Sequence, residues 1–230
     1  TVAALTAAGH TAVTVDLPGR PGDGVVPGQV TMQDHVDAVL AALDAVGPDP
    51  VVLVGHSFGG MTISAVAEAA PDRIASLVYV AAYLPAVDAV PGESMQDLAL
   101  SDHHGGWQAD SFVVAADYST ASVNPRDRAA LFANDAPAGL AEAIAAAMVD
   151  EPLAPVATPV ALTSERFGQV RAAYVVTLRD RAVSTDQQLT MLGRASVAEA
   201  VPLDTGHTPH LVAPEALAAA LIRAATPEVE

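Results

Sequence analysis

A run of apolar residues leads directly into a glycine-framed serine, and this segment constrains the fold more than any other. Residues 51–54 are β-prone, Gly55-His56-Ser57-Phe58-Gly59 forms a G-x-S-x-G turn, and residues 61–70 predict a helix. A serine at such a turn has strained backbone angles, and we expect Gly55 and Gly59 to permit the close approach that the turn requires. The segment predicts an α/β architecture that lifts Ser57 above one sheet edge.

The same turn indicates nucleophilic chemistry at Ser57. The helix that follows points its N-terminal N–H groups toward the serine, where negative charge would develop during attack on a carbonyl. We expect the Phe58 backbone N–H to be one oxyanion donor. The alternative, a glycine-rich bend that merely exposes a serine, does not require the flanking strand and helix.

Composition excludes several other chemistries. The chain has 230 residues, no cysteine and ten basic residues that are all arginine. Thiolate catalysis, cysteine-based zinc sites, lysine Schiff bases and the phosphate-loop lysine are therefore excluded. A net charge of -17 would repel nucleic acid and anionic membranes, so we expect a small-molecule ligand and neither of those partners. No apolar run reaches the roughly 18 residues of a membrane span, and we expect a soluble, cytoplasmic protein.

The order of predicted elements indicates a mostly parallel, doubly wound sheet. Strands are predicted at residues 12–15, 51–54, 74–80, 172–178 and 197–203, with helices at 32–43, 61–70, 185–192 and 214–225. The alternation is interrupted by prolines, acidic residues and short alanine-rich helices such as 138–148. We therefore predict an α/β core at 1–82 and 156–230, with a helical cap inserted at 83–155.

A serine nucleophile needs a general base and a group that orients it. His207 follows the last predicted strand and is the best-placed base, and Asp180 closes the strand before it. A surface ion pair with Arg179 or Arg181 is the alternative role for Asp180. The reserve acids are Asp204 and Asp186, which fit a turn and a helix start.

The other histidines have other expected roles. We expect His56 to pack beside the serine turn, and a metal site formed by His207 and His210 is a weak alternative. The cap loop holds His103 and His104, and structural positions are expected for His10 and His35.

At these residues the chain resembles the α/β-hydrolase superfamily, within the small capped branch that includes plant methylesterases and hydroxynitrile lyases. The resemblance rests on residues 55–60, on Arg179-Asp180, on Gly206-His207, and on Asp16-Leu17-Pro18-Gly19, with Asp16 as a loop anchor. It implies a triad of Ser57, Asp180 and His207. The lyases carry a lysine after the histidine, and Thr208 at that place disfavours cyanohydrin cleavage.

A second departure concerns the start of the chain. The family opens with a strand and a His-Gly loop that donates one of two oxyanion N–H groups, and this sequence begins after that loop. We expect either an N-terminally incomplete hydrolase, without the first strands, or another segment in place of the loop.

The activity that these residues favour is hydrolysis of a carboxylic ester through an acyl-enzyme, with no metal or organic cofactor. Trp107 and Phe112 in the cap are candidate substrate-binding residues, which with Val113, Val114 and Tyr118 suggest an apolar or aryl substrate. Two alternatives stay open: acyl transfer from a thioester in a biosynthetic pathway, and a small-ligand-binding protein that does not turn its ligand over.

Overall fold

The computed structural model describes residues 1–90, 92–100 and 110–226. Within these ranges the helices are α1 (Val2–Ala7), α2 (Met32–Val46), α3 (Gly59–Ala69), α4 (Met95–Leu100), α5 (Pro125–Phe132), α6 (Ala138–Ala147), α7 (Leu153–Ala157), α8 (Thr185–Arg194), α9 (Pro209–Val212) and α10 (Pro214–Ala225). The strands in the same ranges are β1 (Val51–His56), β2 (Ile74–Val80), β3 (Phe112–Val114), β4 (Thr120–Val123), β5 (Glu151–Pro152), β6 (Ala172–Thr177) and β7 (Glu199–Leu203). Within these ranges no helix is both long and apolar enough to cross a bilayer.

The central sheet has four strands in the order β1-β2-β6-β7, and every neighbouring pair is parallel. Parallel neighbours need crossover connections: α3 connects β1 to β2 and α8 connects β6 to β7, both on the face that also holds α2, whereas α10, which follows β7, covers the other face. The α/β fold that the alternating pattern predicts is confirmed. Helix 214–225 has the predicted bounds because Pro214 marks its start. Strand 74–80 also has the predicted bounds, because Pro71 separates it from the preceding helix α3.

Two apolar clusters fill the space between the sheet and its helices. Leu77, Tyr79 and Tyr174 of the sheet pack with α2 and α3 on one face. Val78 and Val175 point the other way and pack with α10. Because alternate residues of a buried parallel strand face opposite layers, both layers require apolar side chains, which explains why β2 and β6 are almost continuously apolar.

The segment between β2 and α7 holds more than the predicted helices. Strands β3, β4 and β5 form a separate antiparallel sheet, in that order, beside α5 and α6. The sequence prediction missed this sheet because its strands have three, four and two residues, too short for an alternating pattern to be recognised.

The predicted strand at residues 12–15 is wrong. These residues have no strand partner in the described part of the chain, and the Val13 side chain is 61% exposed. Strand β1 is an edge strand of the described central sheet, with Val52 and Val54 exposed by 43% and 42%. β-Branched residues favour a strand only where another strand pairs with them, so intrinsic preference alone did not determine the conformation.

Candidate active site

The serine turn has the strained geometry that its sequence predicts. Ser57 has a φ of +53°, a left-handed conformation that residues other than glycine rarely adopt. Three backbone hydrogen bonds hold it: the Ser57 N–H donates to the Val80 carbonyl at 3.1 Å, and its carbonyl accepts from Gly60 and Tyr83, both at 3.1 Å. A strained residue of this kind costs about 1–3 kcal/mol and persists where its surroundings fix it. The end of β2 therefore helps to fix the position of the serine.

Two glycines allow the turn to close, but they are not the predicted pair. A Cβ on Gly55 would lie 2.7 Å from the Gly59 carbonyl oxygen, so Gly55 has the expected role. A Cβ on Gly59 would meet nothing within 4 Å, and its predicted steric role is wrong. The second close approach is at Gly60, where a Cβ would lie 2.2 Å from the Tyr83 carbonyl oxygen. The glycine spacing of the motif did not reveal this contact, because Gly60 packs against a segment distant in sequence.

Ser57, His207 and Asp180 come together in one hydrogen-bonded chain. Ser57 Oγ lies 2.9 Å from His207 Nε2, and His207 Nδ1 lies 2.8 Å from Asp180 Oδ2. The carboxylate can only accept, so Nδ1 carries the ring proton and donates it to Asp180. The neutral ring then presents a bare Nε2 that accepts from the serine hydroxyl. The three residues follow β1, β6 and β7, so parallel strands bring their carboxyl ends to one edge of the sheet.

Asp180 is held from several directions. Its Oδ1 accepts from the backbone N–H groups of Ala182 and Val183 at 2.8 and 3.0 Å, and its Oδ2 also accepts from the Thr177 hydroxyl at 2.8 Å. The Asp180 side chain is fully buried. The alternative of a surface ion pair with Arg179 or Arg181 is contradicted, because the carboxylate is buried and neither arginine pairs with it in the described chain; Arg179 binds Asp204 at 2.9 Å.

The two reserve acids lie elsewhere. The Asp204 side chain is 78% exposed in its ion pair, and Asp186 lies in the first turn of α8, as expected for a helix start. Neither of them bonds to the candidate histidine in the described chain.

His56 packs as expected and also supports the His207 backbone. Its Nε2 lies 2.7 Å from the His207 carbonyl oxygen, which can only accept, so Nε2 carries the proton. Burial, together with the neighbouring His207 and His210, holds the pKa of His56 well below its usual range. The ring is therefore neutral, and it lies 4.7 Å from the His207 ring and 4.9 Å from the His210 ring between centroids. Burial also lowers the pKa of His210.

A second group of contacts, which the sequence did not predict, holds the loop on both sides of His207. The Gly206 N–H donates to Asp135 Oδ2 at 2.6 Å, and the Thr208 hydroxyl donates to the Phe132 carbonyl at 2.9 Å. A Cβ on Gly206 would lie 2.6 Å from Asp135 Oδ1 and 2.7 Å from Asn134 Oδ1. Asp135 and Asn134 lie in the connection between α5 and α6, and no spacing in the sequence links them to residue 206.

The Phe58 N–H lies at the start of α3 and donates to no acceptor within the described residues. The Phe58 ring lies 6.0 Å from the buried His35 ring, at an angle of 65°. In a strand-to-helix G-x-S-x-G turn, the backbone N–H of the residue after the serine supplies one oxyanion donor. Its position agrees with the predicted donor role.

The serine and histidine open into a cavity of about 460 Å³. Most of its lining is apolar, including Leu17, Met95, Phe112, Phe132 and Met148. Phe112 is thus in the wall, whereas Trp107, His103 and His104 lie outside the described residues.

The remaining predicted positions do not join this cluster. Asp16 is exposed, and the adjacent loop is ordered by Asp23, which accepts from the N–H groups of Gly19, Arg20 and Val25. His10 is exposed as well. Over the described ranges, no three His, Asp or Glu side chains are arranged to hold a metal ion.

Comparison with known proteins places this geometry in a family. The chain is 29% identical over 235 residues to methylesterase 7 of Arabidopsis thaliana, covering 97% of this chain and 88% of that protein. It is 30% identical over 210 residues to esterase PIR7B of Oryza sativa subsp. japonica, covering 83% and 76% of the two chains. A pyrethroid hydrolase from Sphingobium faniae JZ-2 superimposes with a TM-score of 0.81 at 25% identity, covering 97% and 89%.

The sequence profile of the alpha/beta hydrolase family matches residues 1–220, nearly the whole chain. The serine turn and the parallel sheet agree with this profile match. The chain belongs to the alpha/beta hydrolase family.

Proposed function

We propose that this protein is a serine carboxylesterase that hydrolyses a small to medium, apolar or aryl ester through an acyl-enzyme. The observation that carries the proposal is the hydrogen-bonded chain from Ser57 through His207 to Asp180, open to an apolar cavity. Relatives named methylesterase and esterase, and a structural neighbour described as a pyrethroid hydrolase, support ester chemistry.

Acylation begins when Ser57 Oγ attacks the ester carbonyl carbon. His207 Nε2 takes the hydroxyl proton as the new C–O bond forms, and the carbonyl oxygen becomes an oxyanion. The Phe58 N–H donates to that oxyanion, where one donor typically contributes about 10²- to 10³-fold in rate. The tetrahedral intermediate then expels the alkoxide, which receives the proton from His207.

Deacylation repeats these steps with water. His207 removes a proton from the water as it attacks the acyl-serine carbonyl, and returns it to Ser57 when the carboxylic acid leaves. Asp180 keeps His207 in the Nδ1–H tautomer and stabilises the imidazolium that forms twice in each turnover. The hydrogen bonds from Ala182 and Val183 fix the carboxylate, so it does not need to reorganise during the reaction.

Residues 83–155 act in this proposal as a cap over a core of residues 1–82 and 156–230. Side chains from both parts line the cavity, including Ser57 from the core with Phe112 and Met148 from the proposed cap. A mostly apolar cavity of about 460 Å³ suits a compact acyl or aryl group.

Steady-state hydrolysis of 4-nitrophenyl esters, from acetate to octanoate, tests the proposal. We expect wild type to release nitrophenol and acid in equal amounts, with a burst if deacylation is slow, and Ser57→Ala to abolish the reaction. Ser122→Ala is the matched control, because it removes another serine from the same cavity wall, and it should retain activity. Hydrolysis that persists unchanged in Ser57→Ala, or a folded wild type that cleaves no ester, contradicts the proposal.

Thioesters of the same acyl groups extend this assay. The proposal predicts a higher kcat/KM for the oxygen ester than for the matched thioester. A consistent preference for thioesters would instead assign the same three residues to thioester hydrolysis or acyl transfer.

A further inference from the structure

The cavity beside Ser57 contains three charged side chains, and two of them neutralise each other. Arg20 Nη1 donates to Glu151 Oε2 in an ion pair at the cavity wall. The third is Arg128, and no described carboxylate lies within ion-pair distance of its guanidinium. The described wall therefore carries one uncompensated positive charge, in a protein whose formal charge is -17.

Two carbonyl groups fix the Arg128 side chain. Its Nε donates to the Val123 carbonyl at 2.8 Å, and its Nη1 donates to the Met148 carbonyl at 3.0 Å. Its Nη2 donates to no described residue. This nitrogen is accessible, since it is absent from the buried atoms that have no partner. A guanidinium is planar and rigid, so fixing two nitrogens also fixes the direction of the third. The result is an oriented cationic donor in the cavity wall.

The position of Arg128 relates it to the reacting groups. Arg128 and Phe132 are four residues apart on α5 and lie on the same helix face. The Phe132 ring meets the His207 ring edge to face, at 5.0 Å and 84°. Arg128 is thus one helical turn along α5 from a ring that contacts the candidate base, and Arg128, Ser57 and His207 line the same cavity, so one substrate can contact all three.

We propose that the cavity selects esters that carry a carboxylate in addition to the ester group, and that Arg128 Nη2 binds this carboxylate. The inference rests on the proposed esterase function, and it narrows the substrate class. Because the protein's overall negative charge repels anions at long range, such selectivity requires a local, oriented cation. Arg128 supplies one without first having to break an ion pair.

Matched ester pairs measure this selectivity. For a charge on the alcohol side, we would compare 4-acetoxybenzoate with 4-acetoxybenzamide; for a charge on the acyl side, mono-4-nitrophenyl glutarate with 4-nitrophenyl pentanoate. In at least one pair, Arg128→Gln should lower kcat/KM for the anionic ester by about ten- to hundredfold, the usual range for a charged hydrogen bond, mainly through KM. The neutral partner should change less than about threefold.

Two further variants serve as controls. Arg126→Gln removes the same charge from α5, where Arg126 is exposed and paired with Asp110 and Asp127, and it should leave both members of each pair unchanged. Arg128→Lys keeps the charge and should retain part of the selectivity. An equal loss for both esters in Arg128→Gln, or no loss for either, overturns the inference and leaves Arg128 as a clamp between β4 and the end of α6.

Wild-type inhibition provides a test that does not depend on how the variants fold. Benzoate and glutarate, compared with benzamide and glutaramide, should inhibit neutral-ester hydrolysis more strongly in at least one pair, and rising salt should weaken that inhibition. Equal inhibition by charged and neutral compounds contradicts the inference. If wild type hydrolyses no neutral ester at all, the proposed esterase function itself is contradicted. Failure of the carboxylate inference and failure of the esterase proposal therefore give different results.

Discussion

Asp180→Asn is the change whose consequence the structure specifies most fully. The Asp180 oxygen that accepts from the Ala182 and Val183 N–H groups must remain an oxygen, so the new amide NH₂ takes the place of Oδ2. That NH₂ faces His207 Nδ1 at 2.8 Å and can only donate. The ring must then accept at Nδ1 and carry its proton on Nε2. In this tautomer Nε2 points a proton at Ser57 and cannot act as a base.

The size of the effect follows from the same contact. At 2.8 Å and an effective dielectric constant of about 20, a carboxylate and an imidazolium attract by about 6 kcal/mol. Losing this stabilisation in the transition state corresponds to a rate decrease of about 10⁴-fold, which also matches the known effect of this change in serine proteases. We expect kcat for a 4-nitrophenyl ester to fall by this order while KM changes little.

Two matched variants make this test specific. Asp204→Asn removes one negative charge near His207, and Asp186→Asn removes one at the start of α8. Each variant should retain kcat within about twofold. Circular dichroism and thermal unfolding would verify that all three variants fold. A decrease of less than tenfold in Asp180→Asn, or an equal loss in either control, would refute the orienting role of Asp180.

Three further predictions concern packing and pH. Gly60→Ala should lower the thermal midpoint by several degrees, because its Cβ would lie 2.2 Å from a carbonyl oxygen, whereas Gly59→Ala should match or exceed wild type; equal midpoints would contradict the steric assignment. Gly206→Ala should lower kcat by at least about tenfold, because its Cβ would lie 2.6 Å from a carboxylate oxygen and displace the loop that carries His207; unchanged kcat would contradict this. Burial, reinforced by a nearby arginine, lowers the pKa of His35 to about 4. The unfolded chain protonates this histidine near pH 6.5, so stability should fall as pH decreases from 6.5 toward 4, by about 2 kcal/mol at pH 5. Urea unfolding at pH 7 and pH 5 should show a smaller loss in His35→Gln but the full loss in His10→Gln, and parallel losses in all three proteins would contradict the assignment.

The sequence predicted those elements whose conformation depends mainly on their own residues. The turn at Ser57 was recognisable because a buried strand, a glycine-framed serine and a helix follow in order, and each leaves its own pattern. The positions of Asp180 and His207 followed from parallel-sheet topology, since groups after neighbouring strands meet at one edge.

Long-range packing accounts for what the sequence did not predict. Gly60 is tight because Tyr83 approaches it, and Asp135 reaches Gly206 across 71 positions of sequence. No local pattern encodes either approach. The strand expected at residues 12–15 failed for the related reason that β-propensity is realised only through pairing with a neighbour.

If His207 and Asp180 activate Ser57 as a nucleophile, the serine should react covalently with an electrophile that mimics the ester. An alkyl fluorophosphonate reacts with an activated serine and forms a tetrahedral adduct, which intact mass spectrometry and peptide mapping would locate. We expect one adduct on Ser57, none in Ser57→Ala, and labelling slowed by several orders of magnitude in His207→Ala. A folded wild-type chain that takes no label, or takes it at a residue other than Ser57, would contradict the claim.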